Sequence, residues 1–198
     1  MYRGRRYPVR IAATRTPEDY FEAGLDLLAL TGPKAVTVAA LCARLGVTKG
    51  SFYHHFDGIP DFLRRLLGYW EEQEAALLRE GQRRTERERP TELAKLAATW
   101  RIRHEAETAI RALGRTDAHA AEVQRRVDQR REDALTGLFT AMGVDKGRAV
   151  ILARVGIAIL IGEEQRSQPV DRRQLEQMLG EYQLWIDHAA GLEVGESW

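Results

Sequence analysis

The chain has 198 residues, with 30 Lys and Arg against 29 Asp and Glu, a formal net charge of +1, 44% hydrophobic and 30% charged residues. These proportions are those of a soluble globular protein of one or two domains, and they exclude a disordered, collagen-like or disulfide-stapled chain. Cys42 is the single cysteine, which excludes an intramolecular disulfide and a cysteine zinc cluster. The longest strongly apolar run, Val155 to Ile161, is far shorter than the roughly 20 residues a membrane span needs. The arginines at 3, 5, 6 and 10 are not followed by the apolar stretch of a secretory signal. The expectation is a cytoplasmic protein without a membrane partner.

Strand signals are nearly absent and helix signals recur, so the predicted fold is all-α with about nine helices. The first is framed by Thr16 as N-cap, Pro17 at the first helical position and Asp19 in the reciprocal capping position. Phe21, Leu25 and Leu28 share one face. Gly32, read as a left-handed C-cap, and Pro33 stop it. A short helix follows from the Thr37 N-cap through Leu41 to Leu45, ended by Gly46. Another runs from Thr48 through Phe52 to Phe56. A longer one starts near Pro60 and runs past Leu77 into the charged stretch 79–89. Further helices are predicted from Thr91 to about Arg101, His104 to Leu113, Asp117 to Met142, Asp145 to about Gln165 and Asp171 to about Ala190.

The two short helices joined by Gly46-Val47 have the spacing of a helix-turn-helix, in which two short helices cross steeply through a tight turn containing glycine. Phe52 packs back onto the first helix, and small Cys42 sits where the pair must approach closely. The second helix then keeps a free face of Lys49, Gly50, Tyr53 and His54, with Thr48 and Ser51 near its start. Donors and a π-face at the beginning of such a helix suit the groove of duplex DNA. Gly50 in an exposed helix costs about 1 kcal/mol relative to Ala, a cost that close approach to a partner explains.

The uninterrupted stretch from Thr37 to Phe56, strongest in Gly46-Val47-Thr48-Lys49-Gly50-Ser51-Phe52-Tyr53 and Phe56, resembles the DNA-binding region of the TetR family of transcriptional repressors, and the likeness extends over residues 17 to 67. The resemblance implies DNA contacts by Thr37, Arg44, Thr48, Lys49, Gly50, Ser51, Tyr53 and His54, with Phe52 and Phe56 in the core. The sequence departs at Ile59, where the family usually carries a lysine for a backbone phosphate. The implied organisation is a basic N-terminal arm (1–16), a three-helix DNA-binding domain (17–57) and a helical ligand-binding and dimerisation domain (58–198). The implied partners are a palindromic duplex operator, a second copy of the chain and a small apolar ligand that releases DNA.

The charge distribution agrees. Residues 1 to 57 carry eight basic and five acidic side chains, a balance of +3, which leaves −2 for the remainder. The first 16 residues hold five arginines and no acid, a composition suited to the minor groove or to phosphates.

For the dimer interface the candidates are Ile151, Val155 and Ala158 on the most apolar helix and Leu175, Met178, Tyr182 and Trp185 on the last; the resemblance implies a four-helix bundle built from two such helices of each subunit. Trp70, Trp100, His104 and Phe139, with Tyr69, are the candidates for an apolar ligand cavity. Other chemistry finds little footing. His54 and His55 are adjacent and so diverge on a helix, no metal-ligand spacing or cofactor motif occurs, and neither His104 nor His188 has a nucleophile placed to complete a catalytic set. The expected protein is not an enzyme and carries no cofactor. The alternative is a helical ligand-binding protein or enzyme whose helix-turn-helix no longer reads DNA.

Overall fold

The computed structural model describes residues 15–85, 104–166 and 171–191. Among these residues the chain is entirely helical: α1 (Pro17–Thr31), a 3-10 turn (Pro33–Ala35), α2 (Val38–Leu45), α3 (Lys49–His55), α4 (Ile59–Thr85), α5 (His104–Leu113), α6 (Ala118–Ala141), α7 (Lys146–Arg166) and α8 (Arg172–Ala189). The helix expected from Thr91 to Arg101 lies outside the described residues, as does all of the basic arm except Arg15 and Thr16. None of the helices described is long and apolar enough to cross a membrane.

Local chemistry sets the boundaries. Thr16 accepts from the Asp19 amide while the Asp19 carboxylate accepts from the Thr16 amide at 2.9 Å, closing a reciprocal cap on α1. Thr37, Asp117 and Asp171 cap α2, α6 and α8 through their side-chain oxygens. Each satisfies an amide that a helix start leaves without an internal partner. Gly32 corrects one expectation: its φ is +77° but its ψ is 176°, outside the left-handed helical well, because the chain extends there into the Pro33 turn.

Two buried clusters fill the molecule. The first joins α1 to α3 with the first half of α4 and reaches into α5 and α6 through Ala106, Ile110, Val123 and Val127. The aromatic rings of Tyr20, Phe21, Phe52, Phe56 and Phe62 meet within it at centroid separations of 5.1 to 5.9 Å. The core therefore runs across position 57 without a break. The second cluster lies at the far end and gathers Leu78, Leu135, Phe139, Leu152, Tyr182 and Ile186 from α4, α6, α7 and α8. Tyr182 lies against Gly156, where a Cβ would come within 2.9 Å of the phenol oxygen, so the missing side chain brings α7 and α8 together.

A buried ionic layer links α4, α5 and α6. The Arg131 guanidinium donates to both Glu107 oxygens, at 2.7 and 2.9 Å, and to Glu74 at 2.6 Å. Arg111 bridges Glu107 and Asp128, and Gln124 donates to both. Nearer the surface, Arg126 grips Glu71 bidentately. Buried charges of this kind hold only while each partner is present. Burial pushes the Glu107 carboxyl up, but the hydrogen bonds and charges of Arg131 and Arg111 reverse this and hold it at about 2, below its ordinary 4.5.

A carboxyl depressed on folding contributes stability above its unfolded pKa and loses it as pH falls through the folded value. Glu107→Gln should therefore cost on the order of 3 kcal/mol at pH 7. Thermal melts of the two proteins should converge as the pH is lowered from 4.5 to about 2. A difference in melting temperature that stays constant across that window contradicts this assignment.

Candidate nucleic-acid interface

The geometry begins with the turn. Gly46 adopts the left-handed conformation (φ +67°, ψ +36°) that non-glycine residues reach only with strain, and its amide closes α2 on Cys42 and Ala43. Val47 returns its amide to the Cys42 carbonyl at 3.0 Å. The Cys42 thiol is buried and lies 3.5 Å from the Thr48 carbonyl. Burial raises its pKa, against the opposing pull of Lys49, so it behaves as a small apolar spacer between the helices.

Helix α3 buries Phe52 completely, and Phe56 follows it into the same aromatic cluster. The opposite face, Lys49, Gly50, Tyr53 and His54, is exposed, Tyr53 at 57%. A Cβ on Gly50 would meet only the Thr48 hydroxyl at 3.7 Å, so nothing among the described residues requires glycine there. Thr48 is exposed and makes no side-chain capping bond to α3. No acidic residue occurs between Thr37 and Phe56. The arrangement is a compact, uniformly non-acidic ridge that offers an ammonium, hydroxyls, an imidazole and an open backbone on one side.

Among the described residues, three of the eight DNA-contact candidates have polar partners for their side chains. The Thr37 hydroxyl oxygen accepts from the Ala40 amide at 3.1 Å, which fixes the residue at the exposed start of α2. Arg44 is held by Asp26 of α1 at 2.7 Å, so part of its charge is spent inside the molecule. Ser51 is half-buried and receives a 2.8 Å hydrogen bond from the Tyr20 hydroxyl. Ile59, at the position of the missing lysine, opens α4 and packs against the first cluster.

Sequence reasoning missed the side chains that hold this unit in place. Arg15 donates to the Leu45 carbonyl at 3.3 Å, at the end of α2. Arg65 of α4 donates to the His55 carbonyl at 2.7 Å and stacks its guanidinium 4.8 Å from the Phe56 ring centre. Arginines at helix C-termini satisfy stranded carbonyls and complement the negative end of the helix. These contacts span 30 and 10 residues, and no local pattern announces them.

The ligand candidates do not converge. Trp70 is fully buried in the first cluster and Phe139 in the second. Glu71, beside Trp70, pairs with Arg126, and Phe139 lies thirteen residues farther along α6, about 20 Å at the rise of an α-helix. Tyr69 also belongs to the first cluster, where its hydroxyl donates to Glu22. Trp100 and the side chain of His104 lie outside the described residues. The Trp70 indole N–H is buried with no acceptor among the described residues. A surface groove of about 420 Å³ between α4 and α6 is bordered by charged Glu72, Arg79, Arg130 and Asp133 together with Ala75, Leu78 and Ala134, and so is mixed in character rather than the apolar cavity expected.

The dimer candidates divide. Leu175 and Tyr182 are 6% and 3% exposed and point into the chain's own core, Tyr182 donating to the Leu152 carbonyl; they are therefore corrected from interface to core. Ile151 and Trp185, at 63% and 56%, stand in solvent with Leu184 and Ala158, while Val155 and Met178 are half-buried. Ile151, Val155 and Ala158 recur at helical spacing on the side of α7 opposite the buried Leu152 and Ala153.

Comparison with known proteins covers both halves of the chain. Residues 21–66 match the bacterial regulatory proteins of the tetR family. No curated protein matches the chain. Among solved structures, a TetR transcriptional regulator from Legionella pneumophila superposes with a TM-score of 0.69 at 14% identity, over 88% of this chain and 96% of that one. A transcriptional regulator from Rhodococcus sp. Rha1 gives 0.64 at 19% identity, over 90% and 95%. The segment carrying the helix-turn-helix matches the model of the tetR family of bacterial regulatory proteins, and the helical body behind it shares the fold of these solved structures.

Proposed function

We propose that the chain is a sequence-specific, DNA-binding transcriptional regulator that acts in the cytoplasm as a homodimeric repressor and is released by a small ligand. The observation that carries this reading is the exposed, acid-free face of α3, built on an aromatic core and matched by a family of DNA-binding regulators. Lys49, Tyr53, His54 and the Gly50 backbone face the major groove, while Thr37, Thr48 and Ser51 serve phosphates at its edges. Arg44 supplies only a partial charge there, given its pairing with Asp26. The apolar outer face of α7 and the exposed Trp185 and Leu184 of α8 support a partner copy, because solvent-exposed large hydrophobics clustered on neighbouring helices favour association. Two copies would present two α3 helices to half-sites about one turn of duplex apart, which is why the operator is read as palindromic.

A ligand reaching Trp70 would find an indole N–H that has no acceptor among the described residues, within an otherwise apolar cluster. Its occupant is therefore read as a mostly apolar molecule with one acceptor group. Through α4, which carries both Trp70 and the Arg65 grip on α3, such a ligand would bias the balance between spacings of the reading helices.

A mobility-shift assay on the DNA flanking its own gene, across a salt series, tests this function; the absence of any sequence-specific shift contradicts it. Lys49→Ala should weaken the shift about tenfold and lower the salt slope by about one unit. Gly50→Ala should act in opposite directions, raising thermal stability by up to about 1 kcal/mol through helix propensity while weakening DNA binding. Trp185→Arg should convert the dimer to a monomer by sedimentation without loss of helix content.

A further inference from the structure

We infer that Tyr20, on α1 and outside the reading helix, is a positioning residue for DNA recognition, acting through Ser51 on a phosphate of the duplex. The inference rests on the DNA-reading function proposed above.

Tyr20 is fully buried, with its ring edge-on to Phe52 at 5.9 Å and to Phe56 at 5.5 Å, and tilted against His55 at 5.7 Å. A phenylalanine would make the same ring contacts. What the tyrosine adds is a hydroxyl at the boundary of α3, and that hydroxyl donates to Ser51 Oγ at 2.8 Å. Each hydroxyl can donate once and accept twice. Because Ser51 accepts the Tyr20 proton, its own O–H is not used in that bond and can serve an outside acceptor, while the accepted bond restrains its orientation. Hydrogen bonds in series polarise one another, so the Ser51 O–H becomes a stronger donor than an isolated serine's.

The location selects the acceptor. Ser51 is half-buried on the α1 flank of α3, beside the exposed Lys49 and Gly50 rather than among them. From that flank the hydroxyl addresses the wall of a groove, which in a duplex is phosphate, while the exposed face addresses its floor. Tyr20 thus links the scaffold helix α1 to the register of the reading helix. A one-atom change in the core is expected to be felt at the DNA backbone without any loss of packing.

The test uses the full chain and the duplex it enriches from a pool of random-sequence DNA. Tyr20→Phe, Ser51→Ala and the double variant are compared by titration, with circular dichroism melts as the folding control and Ser51→Thr as the variant that keeps the hydroxyl. Removal of the relay at either end should lower affinity on the order of tenfold, the double variant should bind no worse than the weaker single one, and Ser51→Thr should retain most of the wild-type affinity. Phosphate-ethylation interference gives the readout that altered packing alone would not move. One phosphate per half-site that blocks the wild type when ethylated should lose its effect in Ser51→Ala and in Tyr20→Phe alike. Wild-type affinity in a folded Tyr20→Phe, additive losses in the double variant, or an unchanged interference pattern each overturns the relay and leaves the DNA-reading function standing. Failure of the wild type to enrich any duplex overturns both.

Discussion

Helix α3 is seven residues long, too short to persist in water by its own hydrogen bonds. Its existence and direction depend on Phe52 and Phe56, which lock it into a cluster of five aromatic rings contributed by α1, α3 and α4. Burial of that cluster supplies what the helix lacks in length, and the ring geometry leaves only one side of α3 facing outward. The chain gains a rigid ridge of polar side chains without giving it a core of its own. Arg15 and Arg65 then secure the C-terminal ends of α2 and α3.

The same cluster explains why the helix-turn-helix unit is not mechanically separate from the body behind it. Ile110 of α5 and Val123 of α6 belong to the core that holds Phe52. Helix α4 begins beside α3, passes through that core and continues into the ionic layer, where Glu71 and Glu74 meet Arg126 and Arg131. Only six residues separate the Arg65 contact with α3 from the first of these ion pairs. Buried ion pairs tolerate little displacement, since moving one partner strands the other. A rearrangement among α4, α5 and α6 is therefore carried to α3 by a single continuous helix.

Much of this was legible in the sequence because it is governed by local rules. The caps at Thr16 and Thr37, the positive φ of Gly46 and the alternation of Phe52 and Phe56 with exposed neighbours all follow from spacing and residue type. What local rules cannot supply is the pairing of distant polar groups. Ser51 reads as a free hydroxyl until Tyr20 is brought over it, and Arg44 reads as a free cation until Asp26 is placed beside it. Tyr182 and Trp185 sit three residues apart on an amphipathic helix, yet one is core and the other surface, a division set by where Gly156 allows α7 to approach. Trp70 and Phe139 look alike as buried aromatics, and only the fold shows that they belong to separate clusters.

The central claim is that α3 reads a defined DNA sequence as one of a symmetric pair. Selection of the full chain against random-sequence duplexes, followed by sequencing of what it retains, tests this most directly. The account predicts an enriched palindrome whose half-sites are lost when Lys49 and Tyr53 are replaced by alanine. Retention of DNA without any enriched sequence, or the same enrichment in the Lys49 and Tyr53 variant, would contradict it.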